Sequence, residues 1–375
     1  MKNRRKDMKS KTASVPKRIL KVLLIMLLLL ILVVAGYVAY AFIYYDRLPD
    51  NMELEVKGYH SSENLEVSED RSYHLTDWNI GFGAYTDQFS FFMDGGDYSR
   101  AFSKEANIEN INNIIDVLKS YNSDIYMIQE VDFDSTRTYH VNQEEMLYDV
   151  FLDSYNSVFG VNYDSPYLFY PITEPIGASK SGIMTLSKAT ITDSVRRSFP
   201  IQSGFAKMLD LDRAYTVSRI PCDNGKELVL INLHMSAYTT DDSIVRQQLD
   251  MLFGTMTEEI ANGNFVIAGG DFNMDLLQDS ASIFGVSGED YSWAQPFPLD
   301  SIPEGIELVA PYDPSNPIPS CRNADSPWDP KTNFQITIDG FLVSDNVKVE
   351  LCEVTDLQFA YSDHEPVQMV FSLKN

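Results

Sequence analysis

The sequence predicts a layered α/β domain preceded by one transmembrane helix near the N-terminus. Three observations support this: an uncharged apolar run at residues 22–45, short apolar runs that stop at polar residues, and amphipathic segments between some of those runs. Short runs rich in β-branched residues are typical of strands, and strands that alternate with helices favour a layered α/β fold. The chain has 375 residues, 44% hydrophobic and 22% charged, so it can bury a sizeable core in one or two domains.

The apolar run at residues 22–45 contains neither a charged residue nor a proline. About 20 such residues in a helix span the hydrocarbon core of a bilayer, so this run predicts a single-pass anchor in the plasma membrane. Nine of the first 21 residues are basic and one is acidic, which places residues 1–21 in the cytoplasm as a basic tail and the remainder outside. A cleaved signal peptide is the alternative, because Ala39 and Ala41 flank a possible cleavage point.

The charge of the chain is divided unevenly between residues 1–21 and the residues after Lys21, here called the body. The net charge is -25, yet the residues after Lys21 contain 20 basic and 53 acidic side chains. Non-specific affinity for nucleic acid depends on many basic residues, so a DNA- or RNA-coating role is disfavoured. The three cysteines are too few and wrongly spaced for a zinc cluster and imply no disulfide framework, although one bridge remains possible.

Strands and helices can be placed along the body from its hydrophobic pattern. Residues 46–72 are polar without a sustained period and are predicted as a spacer. Asp242 and Gly263 suit the start and end of one helix, and nine prolines between Pro296 and Pro330 predict a long irregular loop region. The predicted strands are residues 73–79, 125–130, 228–234, 265–273, 336–343 and 367–373, and the predicted helices are residues 107–120, 242–263 and, more weakly, 143–155.

Residues able to bind a metal ion or phosphate lie at the ends of several predicted strands. Carboxylates and amides without cysteine suit a hard cation, Mg²⁺ or Mn²⁺ before Zn²⁺. Such an ion would bind a phosphoryl oxygen and lower the pKa of a bound water. The candidate ligands are Glu130, Asp271, Asn273 and Asp363, with Asn79 close by.

Two histidines, His234 and His364, accompany these groups. One can donate to a phosphate oxygen, and the other, oriented by a carboxylate, can move a proton. Each motif alone has an ordinary structural interpretation, since Gln129-Glu130 resembles a solvated turn, residues 269–273 a tight turn and residues 362–364 a loop cap. Their joint occurrence at strand ends is what indicates a phosphate-ester site.

Taken together, these motifs resemble the endonuclease/exonuclease/phosphatase family, which includes DNase I-like nucleases, neutral sphingomyelinases and inositol polyphosphate phosphatases. The similar segments occur in family order from about Ser72 to the C-terminus and identify residues 73–375 as the catalytic domain of a membrane-anchored, bacterial-type member. The segments are Asp77-Trp78-Asn79-Ile80-Gly81, Ile128-Gln129-Glu130-Val131, Asn232-Leu233-His234, Gly270-Asp271-Phe272-Asn273, Ile338-Asp339-Gly340-Phe341-Leu342 and Ser362-Asp363-His364-Glu365-Pro366.

The resemblance implies a four-layered αββα sandwich of the DNase I-like type, with a metal site at one rim. Glu130 is then the principal Mg²⁺ ligand, Asn79 lies beside it, and Asp363 supports a metal. Mn²⁺ is a possible substitute, and the resemblance leaves open whether one or two metal ions bind.

The resemblance also implies in-line attack of water on a phosphate ester. Asp271 and Asn273 orient or activate the water and contact the phosphate, and His234 stabilises phosphate charge. Asp339 pairs with His364, which transfers a proton either as a base or as an acid.

Departures from the family patterns reduce the number of family branches to which the chain could belong. Asn232-Leu233-His234 replaces the tyrosine-proline-asparagine pattern of abasic-site endonucleases similar to exonuclease III, and the blocks typical of inositol polyphosphate phosphatases are missing. DNase-like, sphingomyelinase-like and membrane-tethered bacterial branches remain. Arg322 is the favoured substrate-binding residue, because it stands in the proline-rich region before Asp339. Phe89, Phe91, Phe92 and Met93 either pack under their loop, the favoured interpretation, or form an apolar lip that touches lipid.

The leading hypothesis is a divalent-metal phosphodiesterase on the outer face of the plasma membrane. The acidic body favours a compact ester or lipid headgroup over long DNA. The alternatives are a secreted or tethered DNase-like nuclease, a sphingomyelinase-like phospholipase and a non-catalytic ectodomain. The sequence leaves the oligomeric state open.

Overall fold

The computed structural model describes residues 15–44, 47–58, 65–69, 71–202, 212–237, 242–285 and 295–374. The chain divides into two compact units, Met1–Asp46 and Arg47–Asn375. The first unit contains helix α1 (Val15–Tyr44), which is uncharged after Lys21. Residues Lys17–Tyr44 have a mean hydropathy of 3.1 in their most apolar stretch and are long and apolar enough to cross a membrane. Of the predicted basic tail, residues 1–14 lie outside the described part of the chain.

The described part of the second unit contains four further α-helices. They are α2 (Lys104–Tyr121), α3 (Gln143–Phe151), α4 (Asp242–Ala261) and α5 (Ser280–Phe284). Helix α2 begins three residues before its predicted start because Ser103 caps it, with the Ser103 side chain accepting a hydrogen bond from the backbone N–H of Ala106. Gly263 follows the end of α4 with a positive φ, as expected of a C-terminal glycine, whereas the Asp242 side chain lies outside the described residues.

Sixteen strands are found in the described residues. They are β1 (Met52–Glu53), β2 (Val56–Gly58), β3 (Tyr73–Asn79), β4 (Ile125–Asp132), β5 (Asn156–Asp164), β6 (Lys180–Ser187), β7 (Asp193–Ser198), β8 (Ala214–Pro221), β9 (Glu227–His234), β10 (Phe265–Asp271), β11 (Ile306–Val309), β12 (Cys321–Arg322), β13 (Gln335–Ile336), β14 (Asp339–Ser344), β15 (Val347–Val354) and β16 (Val367–Leu373). Sheet I has the order β1-β7-β8-β9-β10-β14-β11, sheet II the order β15-β16-β3-β4-β6-β5-β2, and β12 pairs with β13.

The two sheets pack face to face, with one helical layer outside each. The core between the sheets joins Leu75 and Met127 of sheet II to Leu230 and Ile267 of sheet I. Helix α4 covers the other face of sheet I, and α2 and α3 cover the other face of sheet II. Apolar side chains at a helical period, each stabilising by about 1.5–3 kcal/mol when fully buried, hold these outer layers in place. The expected four-layered αββα sandwich is confirmed.

Strand register brings the polar strand ends together. His234, Asp271 and Asp339 lie side by side on β9, β10 and β14 at one end of sheet I. In sheet II, Asn79 at the end of β3 is paired with Gln129 of β4. Residues directly opposite each other on neighbouring strands share a face, so one edge of the sandwich collects these side chains.

A β-bulge determines the direction of Glu130. The pairing of β4 with β6 shifts register between Ile128 and Val131, and Glu130 within this bulge has a φ of 55°. A bulge bends its strand locally and re-aims the extra side chain. Glu130 is therefore half-buried at the sheet edge, although both of its sequence neighbours are fully buried.

The structure differs from the sequence prediction at the spacer and at several strands. Residues 52–53 and 56–58 are not a free linker, because β1 pairs with β7 and β2 pairs with β5. The strands β5, β6, β7, β8 and β15 were not expected, since the prediction sought apolar runs that stop at polar residues. The predicted strand at residues 336–343 is divided between β13 and β14, and the loop region from Pro296 to Pro330 is irregular apart from β11 and β12.

Gly270 provides a stability prediction, because a side chain at this position would collide with the backbone of the neighbouring strand β9. A Cβ at this position would lie 2.0 Å from the carbonyl oxygen of Leu233, and φ is +139°. We expect Gly270→Ala to lower the free energy of unfolding by at least about 2 kcal/mol.

Gly254, on the exposed face of α4, is the matched control for this prediction, because an added Cβ there meets nothing within 4 Å. We expect Gly254→Ala to stabilise by up to about 1 kcal/mol, since alanine favours the helix. Urea unfolding of both variants measures the effects. Equal stability of Gly270→Ala and the unmodified chain would contradict the close approach.

Candidate active site

Asp271 lies at the centre of the polar cluster at the sandwich edge. Its Oδ2 accepts a hydrogen bond from Asn79 Nδ2 at 3.1 Å and lies 3.4 Å from His234 Nε2 and 3.7 Å from His364 Nε2. Burial raises the pKa of Asp271 to about 7, although the positive charge of His364 opposes this shift. This carboxyl group is therefore poised to exchange a proton near neutral pH.

His364 and Asp339 form a buried pair beside Asp271. His364 Nδ1 lies 2.9 Å from Asp339 Oδ2 and 3.0 Å from Oδ1, and Ser320 Oγ donates to the same Oδ2 at 2.6 Å. Burial alone would lower the pKa of His364, but the charge of Asp339 and its hydrogen bond raise that pKa well above the ordinary value. Trp78 Nε1 donates to the His364 carbonyl at 2.9 Å, which holds this segment against β3.

His234 has the opposite electrostatic character. It is buried, and burial lowers its pKa well below the ordinary value, with the positive charges of Arg213, His364 and Arg137 acting in the same direction. The two imidazoles near Asp271 thus favour different protonation states, His364 the cation and His234 the neutral ring. Such a separation of pKa values is the usual way in which one site provides both proton donors and acceptors.

Asn273 supports Asp271 from the turn after β10. Its backbone N–H donates to Asp271 Oδ1 at 2.8 Å, and its Nδ2 donates to the Met235 carbonyl at 3.0 Å. Asn273 has a φ of 53°, a left-handed conformation that asparagine tolerates better than most residues. This turn fixes both oxygens of Asp271, one toward the backbone and one toward the two histidines.

Glu130, Asp363 and Asn79 form a second, more open part of the site. Asn79 Nδ2 lies 3.5 Å from Glu130 Oε1, and Asn79 is further linked to this segment because Ser362 Oγ donates to its carbonyl at 2.8 Å. Burial raises the pKa of Asp363 to about 6. The positive charge of His364 opposes this shift, and the negative charge of Glu130 adds to it. Both carboxylates are half-buried. Two neighbouring carboxylates at a solvent-facing edge suit a hard divalent cation, which would relieve their repulsion.

The buried part of the site could also hold a metal ion. One ligand atom from each of Asp271, Asp339 and His364 lies within 4.8 Å of the others. All three are buried, and the His364 Nδ1 is already engaged with Asp339. A cation in this set would compete with the proton on His364. The residues therefore fit a divalent ion better at Glu130 and Asp363 than among the buried three.

A buried polar network lies behind the site, between the two sheets. Gln129 Nε2 donates to Asp77 Oδ1 at 2.8 Å and to Asn232 Oδ1 at 2.9 Å. Burial, together with the charge of Asp339, raises the pKa of Asp77 well above the ordinary value. Sequence reasoning used these three residues only as parts of motifs. Asn232 lies between Ile231 and Leu233, and a polar residue within such an apolar strand is the signal that could have identified it as an inward-facing support.

Buried arginines also lie near the site, and sequence reasoning did not single out Arg137. The Arg137 guanidinium donates to Asp132 at 2.8 and 3.0 Å and lies 3.8 Å from the Phe82 ring centroid. Arg213 immediately precedes β8, whose first residue pairs with His234. Both charges contribute to a positive field at His234, which is the field a phosphate group requires.

Arg322 lies on β12, within the proline-rich region. Its guanidinium is buried and donates to backbone carbonyls of Thr86, Phe89, Asn323 and Ser326. These contacts join the proline-rich region to the loop after β3. The structure thus gives Arg322 a loop-bracing position that does not support the predicted substrate contact. All three cysteines are free thiols.

Glu365 yields a pH prediction, because it is a buried carboxyl group next to the site. Its Oε1 accepts backbone hydrogen bonds from Leu357 and Phe359, and burial raises its pKa from 4.5 to about 8. Between these two values the folded chain holds a proton that the unfolded chain has lost, so stability falls as pH rises. The stability contributed by the protonated Glu365 is complete below about pH 4.5 and is lost as the pH rises through about 8.

Glu365→Gln retains the acceptor oxygen and removes the titration. We expect the stability of the unmodified chain to fall relative to this variant between about pH 5 and pH 8, because only the unmodified chain must ionise residue 365. Urea unfolding at several pH values measures the difference. Parallel stability curves for the two proteins would show that Glu365 is ionised in the folded state.

The four-layered sandwich, with polar strand ends collected at one edge, defines the phosphoesterase fold class of the DNase I type. A family model described as endonuclease/exonuclease/phosphatase matches residues 78–364. The chain belongs to this family, whose members are phosphoesterases and nucleases and are generally dependent on divalent metals. The similarity expected from the sequence motifs is thus confirmed.

Solved structures share the fold at low sequence identity. An endonuclease/exonuclease/phosphatase protein from Beutenbergia cavernae has a TM-score of 0.54 and 15% identity, covering 82% of this chain and 72% of that one. ANGEL2, a 2',3'-cyclic phosphatase, has a TM-score of 0.51 and 14% identity, covering 86% and 99%. A D. rerio TDP2 humanized by 14 mutations has a TM-score of 0.50 and 14% identity, covering 80% and 99%. No curated protein matches the chain significantly.

Proposed function

We propose that the protein is a divalent-metal phosphodiesterase that hydrolyses its substrate by in-line attack of water. The observation that carries this proposal is the convergence of two half-buried carboxylates, Glu130 and Asp363, beside the buried Asp271–His364–Asp339 group. The half-buried carboxylates Glu130 and Asp363 suit Mg²⁺ or Mn²⁺. A buried histidine between two carboxylates, as His364 is, suits proton transfer.

The protonation states suggest how the residues divide the chemistry. His364 is held as a cation by Asp339, so its Nε2 is placed to donate a proton to the leaving oxygen. Asp271, whose pKa is raised to about 7, accepts a proton from the attacking water, and Asn273 holds that carboxylate in position. His234 and the neighbouring arginines stabilise the negative phosphate oxygens.

Glu130 and Asp363 would hold the metal ion, with Asn79 Nδ2 orienting Glu130 through its Oε1 at 3.5 Å. The ion supplies Lewis-acid stabilisation of the phosphoryl oxygen when it is bound. Arg322 has no role in this proposal, because its guanidinium is bonded to backbone carbonyls.

We infer the cellular location from the N-terminal segment. We place α1 across the plasma membrane with residues 1–21 in the cytoplasm and the domain from residue 73 on the outside, because basic residues precede the apolar run. The acidic domain favours a compact ester or lipid headgroup over a long nucleic acid.

Turnover of bis(p-nitrophenyl) phosphate by the full chain in lipid nanodiscs tests this function. We expect hydrolysis with Mg²⁺ or Mn²⁺, its loss with a chelator, and its recovery when metal is restored. Turnover that is unaffected by the chelator would overturn the metal-dependent mechanism. A parallel screen of phospholipids, sphingomyelin, inositol phosphates, RNA and plasmid DNA identifies the substrate class, and strong plasmid nicking that falls steeply with salt would favour the nuclease alternative.

A further inference from the structure

A group of exposed apolar side chains, here called the apolar rim, lies on the loops next to the active site. Its members are Ile172, Tyr170, Met93 and Phe169, exposed by 88%, 68%, 61% and 57%. Phe92 connects the two loops, since its ring centroid lies 5.6 Å from that of Tyr170. Several large apolar side chains exposed together are characteristic of an interaction surface rather than of ordinary solvent-facing loops.

The apolar rim lies at the end of the sandwich that contains the site. Strands β4 and β5 are both antiparallel to β6, so they run in the same direction and end at the same edge. The loop with Phe169, Tyr170 and Ile172 follows β5, as the loop from residue 133 follows β4 and its Glu130. Ser99 Oγ donates to the Glu174 carbonyl at 2.6 Å, which joins this loop to the loop that carries Met93.

The polypeptide enters the domain at this same end. β7 and β9 are both antiparallel to β8, so β7 ends beside the edge where His234 lies. Asp50 accepts a hydrogen bond from the Ser198 backbone at 2.8 Å, and Arg196 donates to the Pro49 carbonyl. Arg47 donates to the carbonyl of Phe199, one residue beyond β7. Residues 47–50, the first described residues of the domain, are thus bound at the active-site end.

The covalent connection to the apolar helix is short. Helix α1 ends at Tyr44, and Arg47 is the first residue bound to the domain. The apolar helix is therefore joined through the chain to the end of the domain that carries the active site and the apolar rim.

We propose that the apolar rim inserts into the interface of the membrane that anchors the chain and holds the active site toward the lipid surface. This inference rests on the membrane location in the proposed function. Tyr170 and Phe169 have the amphipathic or aromatic character that the interface favours, and burial of Ile172 and Met93 in acyl chains supplies apolar transfer free energy. The occupant is an uncharged or zwitterionic lipid surface, because the acidic domain is repelled by anionic headgroups.

Depth-dependent fluorescence quenching tests the docking in the full chain. Ile172→Cys, combined with Cys352→Ser to remove the partly accessible native thiol, is labelled with an environment-sensitive fluorophore and reconstituted in phosphatidylcholine vesicles. We expect lipids with a spin label near the headgroup to quench this fluorophore. Asp223→Cys is the matched control, because it is exposed in the turn between β8 and β9 at the opposite end of sheet I, and its label should not be quenched.

The outcomes distinguish a failure of the apolar-rim docking from a failure of the membrane anchor. Equal quenching at residues 172 and 223, or none at either, with the chain still bound to vesicles after an alkaline carbonate wash, would overturn the docking and leave the anchor intact. Release of the chain by the wash would overturn the membrane location itself. Met93→Cys in the same background provides a second reporter on the other loop, and quenching there with an unquenched control supports the docking independently of residue 172.

Discussion

His364→Asn is expected to reduce kcat for phosphodiester hydrolysis by roughly 10²–10⁴-fold, the usual contribution of a positioned proton donor. His364 Nδ1 lies 2.9 Å from Asp339, and Nε2 faces Asp271. Asparagine retains a donor for Asp339 and removes the titrating nitrogen. The loss should therefore appear in kcat more than in KM, because the proton is transferred in the transition state.

His140→Asn is the matched control for His364→Asn. His140 also pairs with a carboxylate, since its Nδ1 lies 2.6 Å from Asp134 Oδ1, but this pair is exposed. We expect unchanged turnover in this variant. Turnover is measured at saturating Mg²⁺ with a phosphodiester whose leaving group is an alkyl alcohol, which requires a proton to depart, and thermal unfolding verifies that both proteins fold. If His364→Asn were folded and as active as the unmodified chain, the proposed proton donor would have to be another group.

Glu130→Gln is expected to weaken Mg²⁺ and Mn²⁺ binding by at least roughly 10–100-fold, since even the loss of an outer-shell partner has effects of this size. The β-bulge aims Glu130 at the edge that it shares with Asp363. Glutamine preserves the volume and the left-handed backbone position but removes the negative charge that a divalent ion requires. Activity at low metal concentration should fall with the affinity.

Isothermal titration of the reconstituted chain with Mn²⁺ measures this loss directly. Glu109→Gln on the exposed face of α2 removes one carboxylate from the same acidic domain without touching the site, and its affinity should equal that of the unmodified chain. Equal affinities in all three proteins would move the cation to another set of ligands, of which Asp271, Asp339 and His364 are the next to test.

The parts of the fold that sequence reasoning predicted best are those in which local pattern and burial agree. Strands β9 and β10 read as apolar runs because they are buried on both faces or nearly so, and β16 has a regular alternation of buried and half-buried residues. Helix α2 was placed from its isoleucine period, and only its start was missed, since the cap at Ser103 lies before the first apolar residue. The local sequence is enough to predict a strand or helix where the same apolar residues favour its conformation and are buried in the core.

The missed strands have weaker local signals. β7 is Asp-Ser-Val-Arg-Arg-Ser, a polar sequence that forms a strand because β1 and β8 pair with it. β15 alternates polar and apolar residues at the edge of sheet II, and a search for continuous apolar runs overlooks such a pattern. Residues 52–58 likewise appeared to be a spacer, because strands of two and three residues carry no detectable period.

The sequence by itself determined which residues could do the chemistry, because only carboxylates, amides and imidazoles at strand ends fit a metal-assisted reaction on a phosphate ester, and it determined the apolar N-terminal segment. The tertiary structure decided how they are arranged. Pairing of β9, β10 and β14 placed His234, Asp271 and Asp339 in one row, and the bulge turned Glu130 toward the edge. Burial separated the pKa values of the two histidines and enclosed Arg322 among backbone carbonyls. These outcomes depend on contacts between residues far apart in the chain, and no local pattern contains them.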